Sequence, residues 1–369
     1  MCNLTDEAGA EAQSKLNSCL KPARTPRCSI GRSAMTTLTS REVHLKSRPV
    51  GTPTADNFTL ATVQVPAPGA GEVQVKNLYM TVDPYMRGRM TDRPSYVPPF
   101  QIGEVLQGGA VGEVVASNDP KFQPGDIVSS MWGWREAYVA PASTLQKIDT
   151  HGMPPQAFLG VLGMPGMTAY VGLLKIAALK AGDVVFVSAA AGAVGALVCQ
   201  IAKIKGCTVI GSAGGDEKIA YLKEIGCDAT IDYKKTKDLT AALMEAAPKG
   251  IDVYFENVGG EHLEAAITAA RPFARFALCG MISQYNDTDA SKGPSNLIQA
   301  VGKRLRLEGF IVSDHPEQQA LFVKDMAEWI GSGQLKYRET IDVGVENAAS
   351  AFVKLFKGEN IGKMLVKLF

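Results

Sequence analysis

Histidine is scarce, with four in 369 residues, and the seven cysteines, at positions 2, 19, 28, 199, 207, 227 and 279, form no C-x-x-C pair. Zinc sites draw on several Cys, His or carboxylate ligands in a suitable arrangement. Between Cys28 and Cys199 stand only His44 and His151, so no metal site is expected. An odd, scattered set of cysteines suits free thiols in a reducing compartment and points to the cytoplasm. Charge of one sign is missing too: 38 basic side chains face 37 acidic ones, for a net charge of +1. Without a basic excess, neither nucleic acid nor an acidic membrane is expected as a partner. Long apolar runs are interrupted. Gly152 to Leu174 and Val184 to Ala202 are uncharged, but the first holds three prolines and the second is rich in glycine and alanine, which argues against a membrane span.

What is present divides into stretches of different texture. Residues 1–34 mix Asp6, Glu7 and Glu11 with Ser, Lys, Pro and Arg and show no apolar core of a secretory signal; they read as a disordered extension outside the fold. From Glu42 to about Leu145, short alternating runs such as Glu72–Lys76 and Ala110–Val115 lie between turn signals such as Pro124-Gly125-Asp126. These predict a small antiparallel β domain.

From about Met164 the period changes. Strand-like runs at Val184–Ser188, Thr208–Ser212, Ala229–Ile231, Ile251–Phe255, Phe273–Cys279 and Leu305–Val312 alternate with helical segments. Val194, Leu197, Val198 and Ile201 share one helical face, with Gly206 as a stop; Asp216 is the expected cap of a helix carrying Ile219, Leu222 and Ile225. Six such strands fill one doubly wound parallel sheet. After Gly333 a helix with Val345, Ala349, Phe352 and Phe356 on one face precedes the apolar run Met364–Phe369. That tail is too small to fold alone and is expected to return to the β domain. The expected division is 35–162 plus 337–369 for the β domain and 163–336 for the parallel sheet.

The run Val184–Ser188 leads into Ala190-Ala191-Gly192-Ala193-Val194-Gly195. It has the form of a dinucleotide fingerprint with alanine in the first glycine place, after a strand and before a helix. Small residues there let backbone N–H groups at a helix N-terminus approach a pyrophosphate. An acid that would grip a ribose diol is expected about 20 residues on. Ser212, Ala213, Gly214 and Gly215 stand there instead, with Lys218 close by and Tyr233 after the third strand. Lys218 and Tyr233 can meet a 2′-phosphate, which favours NADPH; the alternative makes Asp216 and Glu217 the ribose ligands.

Five motifs carry a resemblance: Asp83-Pro-Tyr85-Met-Arg87-Gly-Arg89-Met90, Gly163-Met164-Pro-Gly-Met-Thr168-Ala-Tyr170, Tyr254-Phe-Glu-Asn257-Val258-Gly-Gly260, Cys279-Gly-Met-Ile-Ser-Gln-Tyr285-Asn286, and Gly358-Glu-Asn360-Ile-Gly-Lys363. Over about residues 40 to 369 the chain resembles the zinc-independent alkenal double-bond reductases of the medium-chain dehydrogenase/reductase superfamily, a branch that includes prostaglandin (leukotriene dehydrogenase) and curcumin reductases. The resemblance implies an α/β fold, with a doubly wound Rossmann sheet beside a GroES-like, mainly antiparallel β-barrel domain. It implies NADPH-dependent reduction of the carbon–carbon double bond of an α,β-unsaturated aldehyde or ketone. It also implies nicotinamide contacts at Thr168, Asn257, Val258 and Asn360, with Met164 and Cys279 beside the cofactor. The phosphate loop would be Ala190, Gly192, Ala193, Val194 and Gly195, the 2′-phosphate site Lys218 and Tyr233, the carbonyl-side residue Tyr285, and Tyr85 would line the substrate cleft. A homodimer through the sheet edge near Leu305–Val312 follows from the same analogy.

The chemistry agrees with those residues. Hydride delivered to a β-carbon leaves negative charge on the carbonyl oxygen, which calls for a hydrogen-bond donor and not for a metal. Tyr285 is the candidate donor, directly or through a ribose hydroxyl. Arg87 and Arg89 can also be read as members of charge pairs in a turn. His44, His262 and His315 read as surface or packing residues, and the Tyr-x-x-x-Lys spacing of Tyr233 and Lys237 as coincidence. A quinone reductase of the same superfamily and a non-catalytic nucleotide-binding protein are the competing readings.

Overall fold

A computed structural model of the chain describes residues 37–290 and 292–369; the expected extension at 1–34 lies outside them. The chain opens with an antiparallel pair, β1 (Leu38–Leu45) and β2 (Phe58–Val65), in register from Leu38 against Val65 to Leu45 against Phe58. Next come β3 (Glu72–Thr81), the single turn α1 (Met86–Arg89), β4 (Ala110–Ser117), β5 (Ile127–Ser130), β6 (Ala137–Pro141) and β7 (Gln146–Lys147). The ten-residue β3 organises this part. It pairs with β4 along one edge and with β6 over Glu72–Lys76 on the other. The turn expected at Pro124-Gly125-Asp126 is present, with Gly125 at φ +90°.

The 152–174 run becomes a short 3-10 turn followed by α2 (Met164–Tyr170), which continues as a wider turn to Ile176. The parallel unit then runs β8 (Val184–Val187), α3 (Gly195–Ile204), β9 (Thr208–Ala213), α4 (Asp216–Glu224), β10 (Ala229–Asp232), α5 (Leu239–Ala246), β11 (Ile251–Glu256), α6 (Gly260–Ala269), β12 (Ala270–Leu278), α7 (Gln299–Lys303), β13 (Arg306–Gly309) and α8 (Gln319–Gly331). Its strand order is β10-β9-β8-β11-β12-β13, all parallel. Order reverses between β8 and β11, so the crevice for a ligand lies at their carboxyl ends. No helix among the described residues is long and apolar enough to cross a membrane.

Two details differ from the expectation. Asp216 does not cap α4: Gly215 holds that place at φ +100°, with no side-chain cap bond, and Asp216 is the first helical residue. The last strand is short, ending at Gly309, and Val312 belongs to a 3-10 turn.

The chain ends with β14 (Glu339–Val343), α9 (Ala348–Lys357) and β15 (Lys363–Lys367). β15 is parallel to β14 and antiparallel to β3, with Leu365 opposite Thr81. This completes the seven-stranded sheet, in the order β14-β15-β3-β4-β5-β7 with β6 as a seventh strand paired to β3. The apolar face read from the sequence packs here: Val345, which falls in a 3-10 turn just before α9, and Phe352 are fully buried with Met80 and Trp134, and Ala349 and Phe356 pack at the margin. Burial of each large apolar side chain stabilises by about 1.5–3 kcal/mol, so the tail is bound to this core by packing as well as by strand pairing. The six-stranded sheet has two cores, one joining Val185, Val209 and Phe255 to α3 and α8, the other joining Phe186, Tyr254 and Phe276 to α5 and α6.

Candidate active site

At the carboxyl end of β8 the chain turns through Ser188–Val194 into α3. Ala189 adopts φ +46° and Gly192 donates to its carbonyl at 2.9 Å, while Ala190 donates to Ser212 O at 2.9 Å and so ties the loop to β9. A Cβ at Gly195 would collide with the Ala189 carbonyl oxygen and stand 2.8 Å from Ala190 Cα. Only glycine lets the loop press against the first turn of α3. The leading N–H groups of a helix have no partner within it, and its dipole is positive there, which fits a pyrophosphate.

After β9 the Gly214-Gly215 turn meets the end of β10. The Asp232 carboxylate accepts from the N–H groups of Gly215 and Lys234, both at 3.1 Å, and Asp216 pairs outward with Lys235. Of the two acids in the alternative reading, Asp216 is thus held in an ion pair with Lys235. A Cβ at Gly214 would lie 2.8 Å from Lys234 Cε and 2.9 Å from Tyr233 Cζ. Lys218 donates to Gly358 O at 2.8 Å, and burial together with the Lys234 ammonium lowers its pKa. Two ammonium groups held near each other beside a phenol form a place that an anion relieves. Lys234 was missing from the sequence reading; its signal was its place directly after the strand end, opposite the double glycine.

His262, expected to be a packing or surface residue, lies buried beneath this corner. Its Nε2 is 3.0 Å from Ser212 Oγ, and the Tyr233 ring meets it edge-on at 5.4 Å. Burial pulls its pKa down to about 4, so it is neutral at pH 7.

The turn that follows β11 is built around Glu256, a carboxyl with 0 % exposure. Its Oε1 accepts from Tyr254 OH at 2.7 Å, Val258 N at 2.7 Å, Gly259 N at 2.8 Å and Ser188 Oγ at 3.1 Å. Burial holds its pKa above the usual carboxylate range. Asn257 donates its backbone N–H to Ser188 Oγ at 2.9 Å and its side-chain amide to Ser188 O at 2.7 Å. The sequence reading named Asn257 and Val258 but not the buried acid and serine that set them. Across the loop, Gly362 N donates to Ala191 O at 2.8 Å, and Asn360 donates its amide to Gly362 O at 2.9 Å. In α2 the Thr168 hydroxyl turns back to Met164 O at 2.8 Å. The phosphate loop, Asn257 and Asn360 are therefore joined by direct bonds between their segments.

Tyr285 stands just after a 3-10 turn at Ile282–Gln284 and accepts from Met281 N at 3.3 Å. A Cβ at Gly280 would come within 2.9 Å of its phenol oxygen. Burial first, then the neighbouring Cys279, Tyr96 and Glu256, raises its pKa; it is a protonated donor at neutral pH. Burial and Glu256 push the Cys279 thiol up to about 12. Burial, with Asp83 beside it, also raises the Tyr85 phenol. Tyr96, exposed in the loop after α1, has its pKa raised by burial of its phenol, then by Cys279. It is a further aromatic at this cleft that the sequence reading passed over, and its only signal was an aromatic in a proline-flanked loop.

Among the described residues Arg87 and Arg89 form no carboxylate pair, in contrast to the charge pairs read from the sequence. Arg87 donates to Asn286 Oδ1 at 3.0 Å, Thr91 Oγ1 at 3.1 Å, Gly51 O at 3.0 Å and Pro49 O at 3.3 Å. Arg89 donates to Pro98 O at 2.9 Å and Gln107 Oε1 at 3.1 Å and lies 4.0 Å over the Phe100 ring. The acceptors of these buried guanidinium groups are uncharged carbonyl, amide and hydroxyl oxygens.

Comparison with known proteins gives consistent matches. Residues 41–148 match a family described as the N-terminal domain of oxidoreductase, and residues 193–328 one described as zinc-binding dehydrogenase. Among the described residues no three His, Cys, Asp or Glu side chains converge as metal ligands. The NADPH-dependent curcumin reductase of Escherichia coli is 44% identical over 88% of this chain and 95% of its own length. The NADP-dependent 2-alkenal reductase of Nicotiana tabacum is 44% identical over 89% of this chain and 97% of its own. The crystal structure of CurA from Vibrio vulnificus in complex with NADPH superposes with a TM-score of 0.85 at 43% identity, covering 89% of this chain and 99% of that one.

Proposed function

The chain belongs to the zinc-independent, NADP-dependent branch of the medium-chain dehydrogenase/reductase superfamily, and from that premise we propose that it reduces the carbon–carbon double bond of α,β-unsaturated aldehydes and ketones. NADPH, when bound, supplies the hydride for the β-carbon. The observation that carries the reading is Tyr285, a phenol kept protonated over Gly280 at the carboxyl edge of a dinucleotide-binding sheet.

The residues divide the work as follows. Ala190, Gly192, Ala193, Val194 and Gly195 hold the pyrophosphate with backbone N–H groups. Lys218, Tyr233 and Lys234 take the 2′-phosphate. Met164, Thr168, Asn257, Val258, Cys279 and Asn360 surround the nicotinamide. Tyr285 holds its proton toward the carbonyl oxygen, where charge develops, and Tyr85 supplies an apolar wall. No metal is needed for that charge. In domain terms, 35–162 plus 337–369 forms the substrate side and 163–336 the NADP side.

The active form is a homodimer. β13 is the outer strand of its sheet, and Ile298 and Val301 beside it are exposed, a strand edge and apolar surface that a second copy would cover. The four described cysteines are free thiols, which supports a reducing compartment, and the cytoplasm is the location we propose. Light scattering after size exclusion checks the dimer, and microscopy of the tagged chain checks the location. The function is tested by following NADPH oxidation with a panel of enals, enones and benzoquinones. Turnover of enals and enones is expected; turnover restricted to quinones overturns the reading.

A further inference from the structure

A buried ion pair lies outside every contact described so far. Lys363 and Asp83 are 4 % and 6 % exposed, and Lys363 Nζ donates to Asp83 Oδ1 at 2.7 Å and to Val82 O at 3.0 Å. The other carboxylate oxygen of Asp83 accepts from Thr81 Oγ1 at 2.8 Å. The β15–β3 ladder places Leu365 opposite Thr81, so by the antiparallel register Lys363 and Asp83 come opposite each other just past its last pair. There the two chains separate. One continues from Asp83 into the turn that carries Tyr85, with Met86 N donating to Asp83 O at 3.1 Å. The other runs back from Lys363 to Gly362, bonded to Ala191 of the phosphate loop, and then to Asn360.

Two charges taken out of water hold a sheet no better than two well-packed apolar side chains, and often worse. What a hydrogen-bonded pair adds is direction. We propose that Lys363 and Asp83 are positioning residues that set the spacing between the cofactor loop and the substrate wall at the point where strand pairing stops. The charged atoms of the pair are bonded to each other, to Val82 O and to Thr81 Oγ1; the pair acts through Gly362 and Asn360 on one side and Tyr85 on the other. This rests on the enone-reductase reading.

The test uses the full-length protein and the variants Lys363→Met, Asp83→Asn and the double variant Lys363→Met/Asp83→Leu, in which an apolar contact replaces the pair. Each is measured for NADPH affinity by fluorescence titration, for kcat and KM with an enone, for the isotope effect with NADPH deuterated at the transferred position, and for its melting temperature. The single variants are expected to lose about tenfold to a hundredfold in kcat, to bind NADPH within about twofold of wild type and to show a larger isotope effect. The double variant is expected to melt near wild type and still turn over slowly, which separates positioning from stability. If a single variant does not fold, the double variant carries the test. A double variant with wild-type kcat, or losses that follow NADPH affinity alone, overturns the proposal. Inactivity of the wild type toward all enones would instead overturn the functional reading while leaving its NADPH affinity measurable.

Discussion

The Arg87 guanidinium donates through Nε to the side-chain oxygen of Asn286 at 3.0 Å. One partner lies in the turn that carries Tyr85, the other directly after Tyr285, so this bond joins the segments that carry the two tyrosines assigned to the substrate cleft. Asn286→Ala removes the acceptor and leaves Arg87 with its carbonyl partners. A hydrogen bond to a charged group contributes about 1.5–3 kcal/mol, so kcat/KM for an enone is expected to fall by roughly tenfold to a hundredfold. Steady-state kinetics on the folded variant checks it; an unchanged kcat/KM removes the link.

Lys218→Ala is expected to weaken NADPH binding by about 1.5–3 kcal/mol while barely changing NADH, as charge-assisted phosphate contacts require. Lys234→Ala should act in the same direction. Equal losses for both cofactors in a titration would place these lysines away from the 2′-phosphate.

Tyr285→Phe keeps the ring and removes the donor. Turnover is expected to fall about tenfold to a thousandfold, the upper part matching loss of an oxyanion donor. Because burial raises the phenol above its ordinary pKa, the wild-type rate should not decline through phenol ionisation until the pH passes the ordinary tyrosine value. A chemistry-limited rate that is unchanged in Tyr285→Phe would end the assignment.

His262 should make the fold sensitive to acid. Its pKa is about 4 in the folded chain against the 6.5 of a free side chain, so the unfolded chain binds the extra proton first. The stability is whole above pH 6.5 and falls as pH drops toward 4, by about 3 kcal/mol at most from this group. Denaturant titrations of wild type and His262→Gln across that window should differ in slope, with the variant flatter.

Much of the fold was legible because its signals are local. The six parallel strands were marked by apolar runs between turn residues, and the phosphate loop by small residues between a strand and a helix. Local signals failed where partners are distant. Glu256 looks like any strand-end acid until four donors converge on one of its oxygens. Arg87 and Arg89 suggested charge pairs because sequence cannot show that the acceptors are uncharged oxygens, among them the Asn286 amide and the Pro49 and Gly51 carbonyls from distant loops. Asp216 read as a cap because Asp favours that place, yet Gly215, at positive φ, starts the helix instead.

The sequence by itself determined the class of fold, the place of the nucleotide loop and the preference for a phosphorylated cofactor, since periodicity, small residues after a strand and a missing acid are properties of short stretches. Only the tertiary structure decided that Lys234 joins Lys218, that Glu256 and Ser188 set the Asn257 turn, and that Lys363 meets Asp83. Those contacts form between side chains from separate segments of the chain, and their geometry exists only once both cores have packed and the last strand has docked on β3.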